Sequence, residues 1–237
     1  MHESAYEGLD DLQALEENAQ IYNQHLVHKF LQIANSTNVR INSVLDFGAG
    51  IGSLALEWKK QTQIPVDCFE IDKQQANFIR NREMNCFDSI EQVQQRYEFI
   101  YMSNVLEHIE DDVAVLKEIR QKLLLQDGTL VIYVPAFQHL YSPADERVGH
   151  FRRYNVNSLF KAIKESGLKV NSWQYVDSLG YLSLLLFKYL LRTSPELKKQ
   201  KRLLRFYDSV IFPVSRSLDK LSYGRVVGKN ILIVAKN

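Results

Sequence analysis

The stretch VLDFGAGIGS, residues 44–53, carries the strongest structural signal in the chain. Residues 41–47 are mostly apolar and predict a short strand, after which three glycines follow in a G-x-G-x-G spacing. Glycine adopts positive φ angles and lets a ligand approach the backbone closely. Residues 54–60 have helical spacing, so the turn leads into a helix whose first N–H groups are free. Strand, glycine turn and helix together predict a nucleotide-binding turn.

Strand-like and helix-like segments alternate on both sides of this turn. Predicted strands cover 41–47, 65–72, 97–102, 129–134, 168–176 and 230–235, and predicted helices cover 73–84, 111–125 and 155–166. Residues 87–93 fit either a strand or a loop, Asp127 and Gly128 predict a turn, and residues 136–153 show no period. This alternation is typical of βαβ units, so we expect an α/β fold with a mostly parallel sheet and helices on both faces.

Helical segments are also expected at the amino-terminal side of this core and within it. Apolar residues from Leu9 to Ile33 recur at steps of three and four, which predicts one long amphipathic helix. This helix either packs on the core or forms a lid over the site. We expect one domain, with an N-terminal helix (1–40), a core (41–176 and 229–237) and a helical cap insertion (177–228).

The composition excludes several classes of protein. A formal net charge of +1 gives no global field that attracts nucleic acid, so no nucleic-acid partner is expected. Cys68 and Cys86 are too few for a disulfide framework, and we expect free buried thiols and no metal site. The amino terminus lacks a signal-peptide pattern, and the apolar run 179–191 is shorter than the roughly 20 residues that span a bilayer. We therefore expect a cytoplasmic protein.

Two acidic residues at the end of the second predicted strand narrow the class of ligand. Glu70 and Asp72 lie about 20 residues after the glycine turn, where a carboxylate can accept hydrogen bonds from ribose hydroxyls. A phosphate-binding G-x-x-x-x-G-K-[ST] loop is absent from the sequence. A dinucleotide turn usually has the spacing G-x-G-x-x-G, whereas here the third glycine is one residue early and Asp46 precedes the turn. The pattern predicts an adenosine-containing ligand.

Four segments resemble the motifs of class I S-adenosylmethionine-dependent methyltransferases. They are VLDFGAGIG (44–52), FEID (69–72), YEFIYMSNVLEHI (97–109) and the segment 123–134. The resemblance implies a Rossmann-like seven-stranded, mostly parallel sheet, S-adenosyl-L-methionine as the cofactor, and methyl transfer by in-line displacement. Residues 149–154, GHFRRY, are similar to a segment of a bacterial subgroup of this family.

The resemblance also implies which residues hold the cofactor. They are Asp46, Gly48, Ala49, Gly50, Gly52, Glu70, Ile71, Asp88, Ser89, Ser103 and Asn104. The glycine turn would contact the methionine portion, Asp46 would orient the turn or the amino group, and Glu70 would hold the ribose hydroxyls. Asp88 and Ser89 match the adenine-binding position poorly. Asn104 has an alternative role as a turn residue or helix cap.

Candidate catalytic and acceptor-binding residues follow the fourth and fifth strands. His108, His150 and Asp145 are candidates for handling an acceptor proton, because imidazole titrates near neutral pH. Alternatively, His108 caps a helix, and Asp145 pairs with an arginine as a structural latch. Arg152, Arg153 and Tyr154 are candidate substrate-binding residues, since guanidinium groups suit phosphate or carboxylate.

The sequence leaves the acceptor open. We expect a small-molecule, glycan-type or lipid-linked acceptor and a monomer or homodimer. Residues 179–205 join an apolar helix to a basic segment, which indicates either a solvated cap or a peripheral contact with the inner face of the membrane. The alternative functions are an NAD(P)-dependent oxidoreductase on a related fold and a cofactor-binding module without catalysis.

Overall fold

The computed structural model describes residues 9–37, 40–190 and 197–237. Residues 1–8, 38–39 and 191–196 fall outside this part, and the last of these ranges contains the end of the predicted apolar run and the beginning of the basic segment. The strands are β1 (Val44–Phe47), β2 (Val66–Phe69), β3 (Cys86–Phe87), β4 (Tyr97–Ser103), β5 (Leu124–Pro135), β6 (Lys169–Val176) and β7 (Asn230–Lys236). The helices are α1 (Leu9–Asn18), α2 (Gln20–Asn35), α3 (Ser53–Gln61), α4 (Lys73–Asn81), α5 (Asp112–Glu118), α6 (Pro143–Arg147), α7 (Val156–Glu165), α8 (Ser178–Leu190), α9 (Leu197–Phe206) and α10 (Phe212–Leu221).

The seven strands form one sheet in the order β3-β2-β1-β4-β5-β7-β6. β7 runs antiparallel to both of its neighbours, and the other adjacent pairs are parallel. The predicted α/β fold with a seven-stranded, mostly parallel sheet is confirmed. β1 and β4 are central, so their carboxyl ends meet at the point where ligands bind in such sheets.

Helices cover both faces of the sheet, because successive strand residues point to opposite faces. One apolar cluster contains Leu45 of β1 with Leu116 of α5 and Leu159 of α7. The other contains Val44 of β1 with residues of α2 and α3, including Trp58. All these side chains are almost completely buried. Cys68 and Cys86 are buried free thiols, as predicted.

The predicted single helix over residues 9–33 is wrong in one respect, because the backbone leaves the helical region at Ala19 (φ −126°, ψ 41°). A second helix begins immediately afterwards. The carboxylate of Asp208 accepts hydrogen bonds from the backbone N–H groups of Ile21 and Tyr22 at 2.9 and 2.8 Å. This contact satisfies two of the free donors of the α2 amino terminus. It comes from a residue 187 positions away, so local periodicity does not reveal the break.

The predicted helix over 111–125 also ends early. α5 stops at Glu118, one π-helical turn follows, and Leu124 already belongs to β5. Leu124 pairs with Tyr97, and the next registered pair joins Thr129 to Phe99. The predicted turn at residues 127–128 is therefore an irregularity inside β5 rather than its beginning.

The remaining differences are local. The ambiguous segment 87–93 contains the end of β3 and a 3₁₀ turn, Ile90–Gln92. The connection 136–153, which has no sequence period, contains a second 3₁₀ turn, Gln138–Leu140, and the short helix α6. In the described part of the segment between β6 and β7, the chain forms three helices, α8 to α10. Among the described residues, no helix has both the length and the apolar character needed to cross a bilayer.

Candidate active site

A cavity of about 600 Å³ lies at the carboxyl ends of β1, β2 and β4. Its walls include the glycine turn, Glu70, and residues 103–105 and 107–109, which form the end of β4 and the segment after it. Helices α1 and α2 supply the opposite wall with six residues: Leu12, Leu15, Glu16, Tyr22, Asn23 and Leu26. The volume lies within the range that small-molecule sites occupy.

The glycine turn is held against β2 by backbone hydrogen bonds. The N–H groups of Gly48 and Ala49 donate to the carbonyl of Phe69 at 2.8 and 3.0 Å. Gly48 has φ +75°, and a Cβ there would lie 2.4 Å from Cγ2 of Val105. Gly50 has φ +59°, but a Cβ there would meet no atom closer than 3.6 Å. Gly48 therefore allows close packing with the loop after β4, whereas Gly50 faces the open cavity.

Gly52 has a structural role in this turn. Its N–H donates to the carbonyl of Ala49 at 2.8 Å, and its φ is +78°. A Cβ on Gly52 would lie 2.7 Å from the Met84 side chain. Gly52 is outside the cavity wall and precedes the first residue of α3.

Glu70 is buried at the end of β2, where it joins the turn to the next helix. One carboxylate oxygen accepts from Gly50 N–H at 2.8 Å, and the other accepts from Asp72 N–H at 2.9 Å. Burial raises the pKa of Glu70, and these backbone hydrogen bonds oppose that effect. A carboxylate offers about four acceptor positions, so these hydrogen bonds leave capacity for a ligand hydroxyl. Ile71, which is 55% exposed, places an apolar side chain on the wall beside it.

Replacing Glu70 with alanine is expected to weaken S-adenosylhomocysteine binding about 5- to 150-fold, equivalent to about 1–3 kcal/mol for hydrogen bonds to a charged group. Isothermal titration measures the change. Asp72→Ala is the matched control, because Asp72 caps α4 through the N–H groups of Gln74 and Gln75. That variant should lose about 1 kcal/mol of stability and keep its ligand affinity. Equal affinities for wild type and Glu70→Ala would remove Glu70 from the site.

Asp46 lies under the turn on β1, where it is 2% exposed. Its carboxyl group accepts a hydrogen bond from the Tyr101 hydroxyl at 3.1 Å. Burial raises the pKa of Asp46 to about 8, and the nearby Glu70 carboxylate adds to the increase. Asp46 therefore binds a proton more readily than an exposed carboxyl group does. A cationic group bound next to it would favour the ionised form.

Ser103, the last residue of β4, and Asn104, which follows it, line the cavity. Asn104 adopts φ +54°, a left-handed conformation that non-glycine residues seldom adopt. Its N–H donates to the Tyr133 carbonyl at 2.8 Å, and its side-chain oxygen accepts from Asn230 at 3.3 Å. Contacts with β5 and β7 thus hold this turn in position at the cavity wall.

Three side chains that can move protons meet on the next part of the wall. The rings of His108 and His150 pack edge to face with centroids 4.6 Å apart. Glu107 is fully buried, and its Oε1 lies 3.9 Å from His150 Nε2. Burial lowers the pKa of His108 to about 4, and repulsion by His150 contributes. One potential ligand atom from each of the three residues lies within 4.8 Å of the others, so the group can bind a proton or a cation.

His150 is oriented by Asp145. Its Nδ1 lies 2.9 Å from Asp145 Oδ1, and the same oxygen accepts from Arg153 Nε at 2.8 Å. Burial would raise the pKa of Asp145, but hydrogen bonds from His150 and Arg153 lower it to about 2. Asp145 is therefore ionised and can only accept, so Nδ1 of His150 carries a proton. In the neutral ring, Nε2 is then the free base.

The two arginines after His150 are held by protein groups. Arg153 pairs with Asp145, as the latch interpretation predicted. Arg152 pairs with Asp112 at 3.1 Å and donates to the Glu110 carbonyl at 2.7 Å. Tyr154 is buried, and its hydroxyl donates to Asp112 at 2.9 Å. None of Arg152, Arg153 and Tyr154 lines the cavity, and acceptor binding by them stays a prediction.

The two residues proposed for the adenine end also lie outside the cavity wall. Asp88 accepts from Arg80 at 2.9 Å and from Gln92 at 2.7 Å. The hydroxyl of Ser89 donates to Glu91. Ile90 is the residue of this segment that lines the cavity. An apolar side chain is a suitable surface for a purine ring, and contact by Asp88 or Ser89 stays a prediction.

Glu107 is not among the site residues predicted from the sequence, and the wall from α1 and α2 was predicted only as one of two alternatives. Glu107 belongs to the LEH segment that carries the resemblance, but a buried acid cannot be distinguished from an exposed one by a motif. The alternative of an N-terminal lid indicated the second wall. A bidentate pair of Glu16 with Arg82, at 2.7 and 2.8 Å, attaches α1 to the end of α4.

The family comparison decides the class of protein. A family model described as a methyltransferase domain matches residues 15–172, which is more than half of the chain. The chain belongs to the class I S-adenosylmethionine-dependent methyltransferases. No match was found among curated protein sequences. The methyltransferase therefore takes S-adenosyl-L-methionine as its cofactor, and the family match favours methyl transfer over NAD(P)-dependent chemistry.

Solved structures show the same fold at low identity. A S-adenosylmethionine-dependent methyltransferase from Archaeoglobus fulgidus is 18% identical with a TM-score of 0.59, covering 90% of this chain and 92% of that chain. Phosphoethanolamine N-methyltransferase 2 from Haemonchus contortus, solved with S-adenosyl-L-methionine, is 13% identical with a TM-score of 0.59 and coverages of 90% and 52%. The [4+2]-cyclase SpnF is 13% identical, with a TM-score of 0.57 and coverages of 90% and 81%. The likeness to these structures shows the fold alone.

The residues present fit the cofactor. Gly50 leaves open space at the turn, Glu70 keeps free acceptor positions, and Ile71 and Ile90 provide apolar surface. The cavity extends from these residues past Ser103 and Asn104 to His108 and His150. It thus joins an end with carboxylate acceptor positions and apolar surface to an end lined by Glu107, His108 and His150.

Proposed function

We propose that this methyltransferase transfers a methyl group to a small-molecule, glycan-type or lipid-linked acceptor that loses a proton in the reaction. The observation that carries this proposal is the group of Glu107, His108 and His150 on the cavity wall. An acceptor hydroxyl or protonated amine must lose its proton when it is methylated, and a positioned imidazole is the usual base.

The bound cofactor supplies an electrophilic methyl group on a sulfonium, together with its leaving group. The protein has to align the acceptor and remove its proton. Asp145 fixes the His150 ring so that Nε2 is the basic atom. Glu107, 3.9 Å from that atom, would stabilise the imidazolium that forms. His108 is neutral at physiological pH and would pack against the acceptor or accept its proton.

Removal of the His150 imidazole is expected to lower kcat about 10²- to 10⁴-fold. His150→Gln is assayed by homocysteine release against a panel of hydroxyl and amine acceptors. The affinity for S-adenosylhomocysteine should change less than about twofold, because the turn and Glu70 are untouched. His139→Gln is the matched control, since His139 is exposed and contacts Tyr181 outside the cavity.

Two outcomes would contradict the proton-transfer role. If the His150→Gln enzyme had the wild-type kcat, His150 would not be the general base. Loss of wild-type activity on chelation, with recovery on adding a divalent cation, would show that the three side chains hold a metal.

A further inference from the structure

The helical cap exposes a long apolar surface. α9, a π-helical turn (Tyr207–Ile211) and α10 follow one another without a break from residue 197 to 221. Six large apolar residues, at steps of three and four, are 40–79% exposed: Leu203, Phe206, Val210, Val214, Leu218 and Leu221. We call these six residues the apolar stripe. Residues at such steps share one face of a helix, so the stripe is a continuous surface.

The stripe spans 19 positions, or about 28 Å at 1.5 Å per residue. Two further exposed residues, Tyr223 and Val226, follow α10 directly. α8 packs against α10 and carries the exposed residues Leu182 and Leu186. Isolated exposed apolar residues are ordinary on protein surfaces, but a contiguous set of this size indicates an interaction site.

The charged side chains that this segment itself presents to solvent have one sign. Residues 197–228 contain eight lysines and arginines and two aspartates. Both aspartates are buried. Asp208 caps α2, and Asp219 accepts hydrogen bonds from the N–H groups of Asp177 and Ser178 at 2.7 and 3.0 Å. Because both carboxylates point into the protein, the charge that this segment presents to solvent is positive.

We propose that the apolar stripe and the basic residues beside it dock on the surface of a lipid bilayer that contains anionic headgroups. A long amphipathic helix with apolar and basic surfaces lies in the plane of the membrane interface, with its apolar residues at the acyl boundary. Lipid phosphates complement the basic residues, and each lysine or arginine near such a surface adds to the attraction. Two copies of this surface would instead bring positive charges together, which disfavours a homodimer through the stripe.

Co-sedimentation with vesicles tests the proposal. The full chain is expected to pellet with phosphatidylcholine vesicles that contain phosphatidylglycerol, and much less with phosphatidylcholine alone. Increasing salt should release it, because screening weakens the attraction. The triple variant Val214→Ser, Leu218→Ser, Leu221→Ser is expected to lower the partition constant at least about tenfold. Leu125→Ser is its control, because Leu125 is an exposed leucine at the beginning of β5.

A second variant tests the charge. Lys201→Gln, Arg202→Gln, Lys220→Gln is expected to lose at least about tenfold in partition, and Lys59→Gln, Lys161→Gln, Lys164→Gln is expected to bind as wild type. All six residues are exposed, so folding is retained. Binding of S-adenosylhomocysteine checks the fold of every variant.

Three results would overturn the proposal. The wild type stays in the supernatant with both kinds of vesicle. The control variants lose as much partition as the test variants. Alternatively, the wild type is a dimer that the stripe variant converts to a monomer, with no vesicle binding, which assigns the stripe to a second copy. The measurement needs no turnover, so it is independent of the proposed acceptor chemistry.

Discussion

Replacing Gly48 with alanine is expected to lower the affinity for S-adenosylhomocysteine at least about 100-fold and to destabilise the protein by about 2–5 kcal/mol. Two effects add at this position. The φ of +75° costs a residue with a Cβ about 1–2 kcal/mol. The new Cβ would also lie 2.4 Å from Val105, a β-branched side chain with restricted rotamers. The turn has to move away from β4, and the backbone that contacts the ligand moves with it.

The neighbouring glycine separates these effects. Gly50→Ala has the same conformational strain but no contact closer than 3.6 Å, so about 1–2 kcal/mol of stability should be lost. Adding Val105→Ala to Gly48→Ala should restore the part of the stability and of the ligand affinity that the clash removes. Denaturant unfolding and isothermal titration of the wild type, Gly48→Ala, Val105→Ala and the double variant form a double-mutant cycle. If Gly48→Ala and Gly50→Ala lose the same stability and the same ligand affinity, close packing of the turn on Val105 is unimportant.

Asp145→Ala is expected to reduce the free energy of unfolding by about 3–5 kcal/mol. The Asp145 side chain is 2% exposed and that of its partner Arg153 is 10% exposed. Removing the carboxylate leaves a guanidinium and an imidazole with little access to water, and that desolvation is the main cost. The exposed pair of Glu118 with Lys122 is the control, because Glu118→Ala should cost less than about 1 kcal/mol.

The pH dependence of Asp145→Asn gives an independent measurement. The pKa of Asp145 is about 2 in the folded protein and about 3.9 in an unfolded chain. Between these values the unfolded chain binds more protons, so this stabilisation is complete above about pH 5 and falls as the pH decreases toward 2. The difference in unfolding free energy between wild type and Asp145→Asn should therefore shrink from pH 5 to pH 3. A constant difference would show that the ion pair contributes nothing.

The sequence predicted the part of the site that lies on contiguous segments. The glycine turn and Glu70 belong to one βαβ unit, whose geometry follows from strand, turn and helix signals over about 30 residues. Ser103 ends the next central strand and Asn104 and His108 follow it, so their positions depend on the same sheet. Asp88 and Ser89 were harder to place, because β3 has two residues and its end is set by contacts with Arg80 and Gln92.

Long-range contacts determine the features that the sequence did not predict. Apolar periodicity is the same for a helix that packs on a core and for one that closes a cavity, so it could not assign α1 and α2 to the wall. The break at Ala19 depends on Asp208, and the orientation of His150 depends on Asp145 and Arg153 together. The sequence did not predict the apolar stripe either, because it shows apolar residues without showing which of them the fold leaves exposed.

The position of β7 constrains how the protein is synthesised. β6 pairs with β7 and has no other neighbour in the sheet, and β7 also fills the place beside β5. On the ribosome, β6 therefore emerges about 60 residues before its partner, and the whole helical cap is made in between. Until residues 230–236 leave the exit tunnel, β5 has an open edge that can pair with another chain. The same order implies that a fragment ending at residue 172, where the family match ends, would lack the strand that completes its sheet.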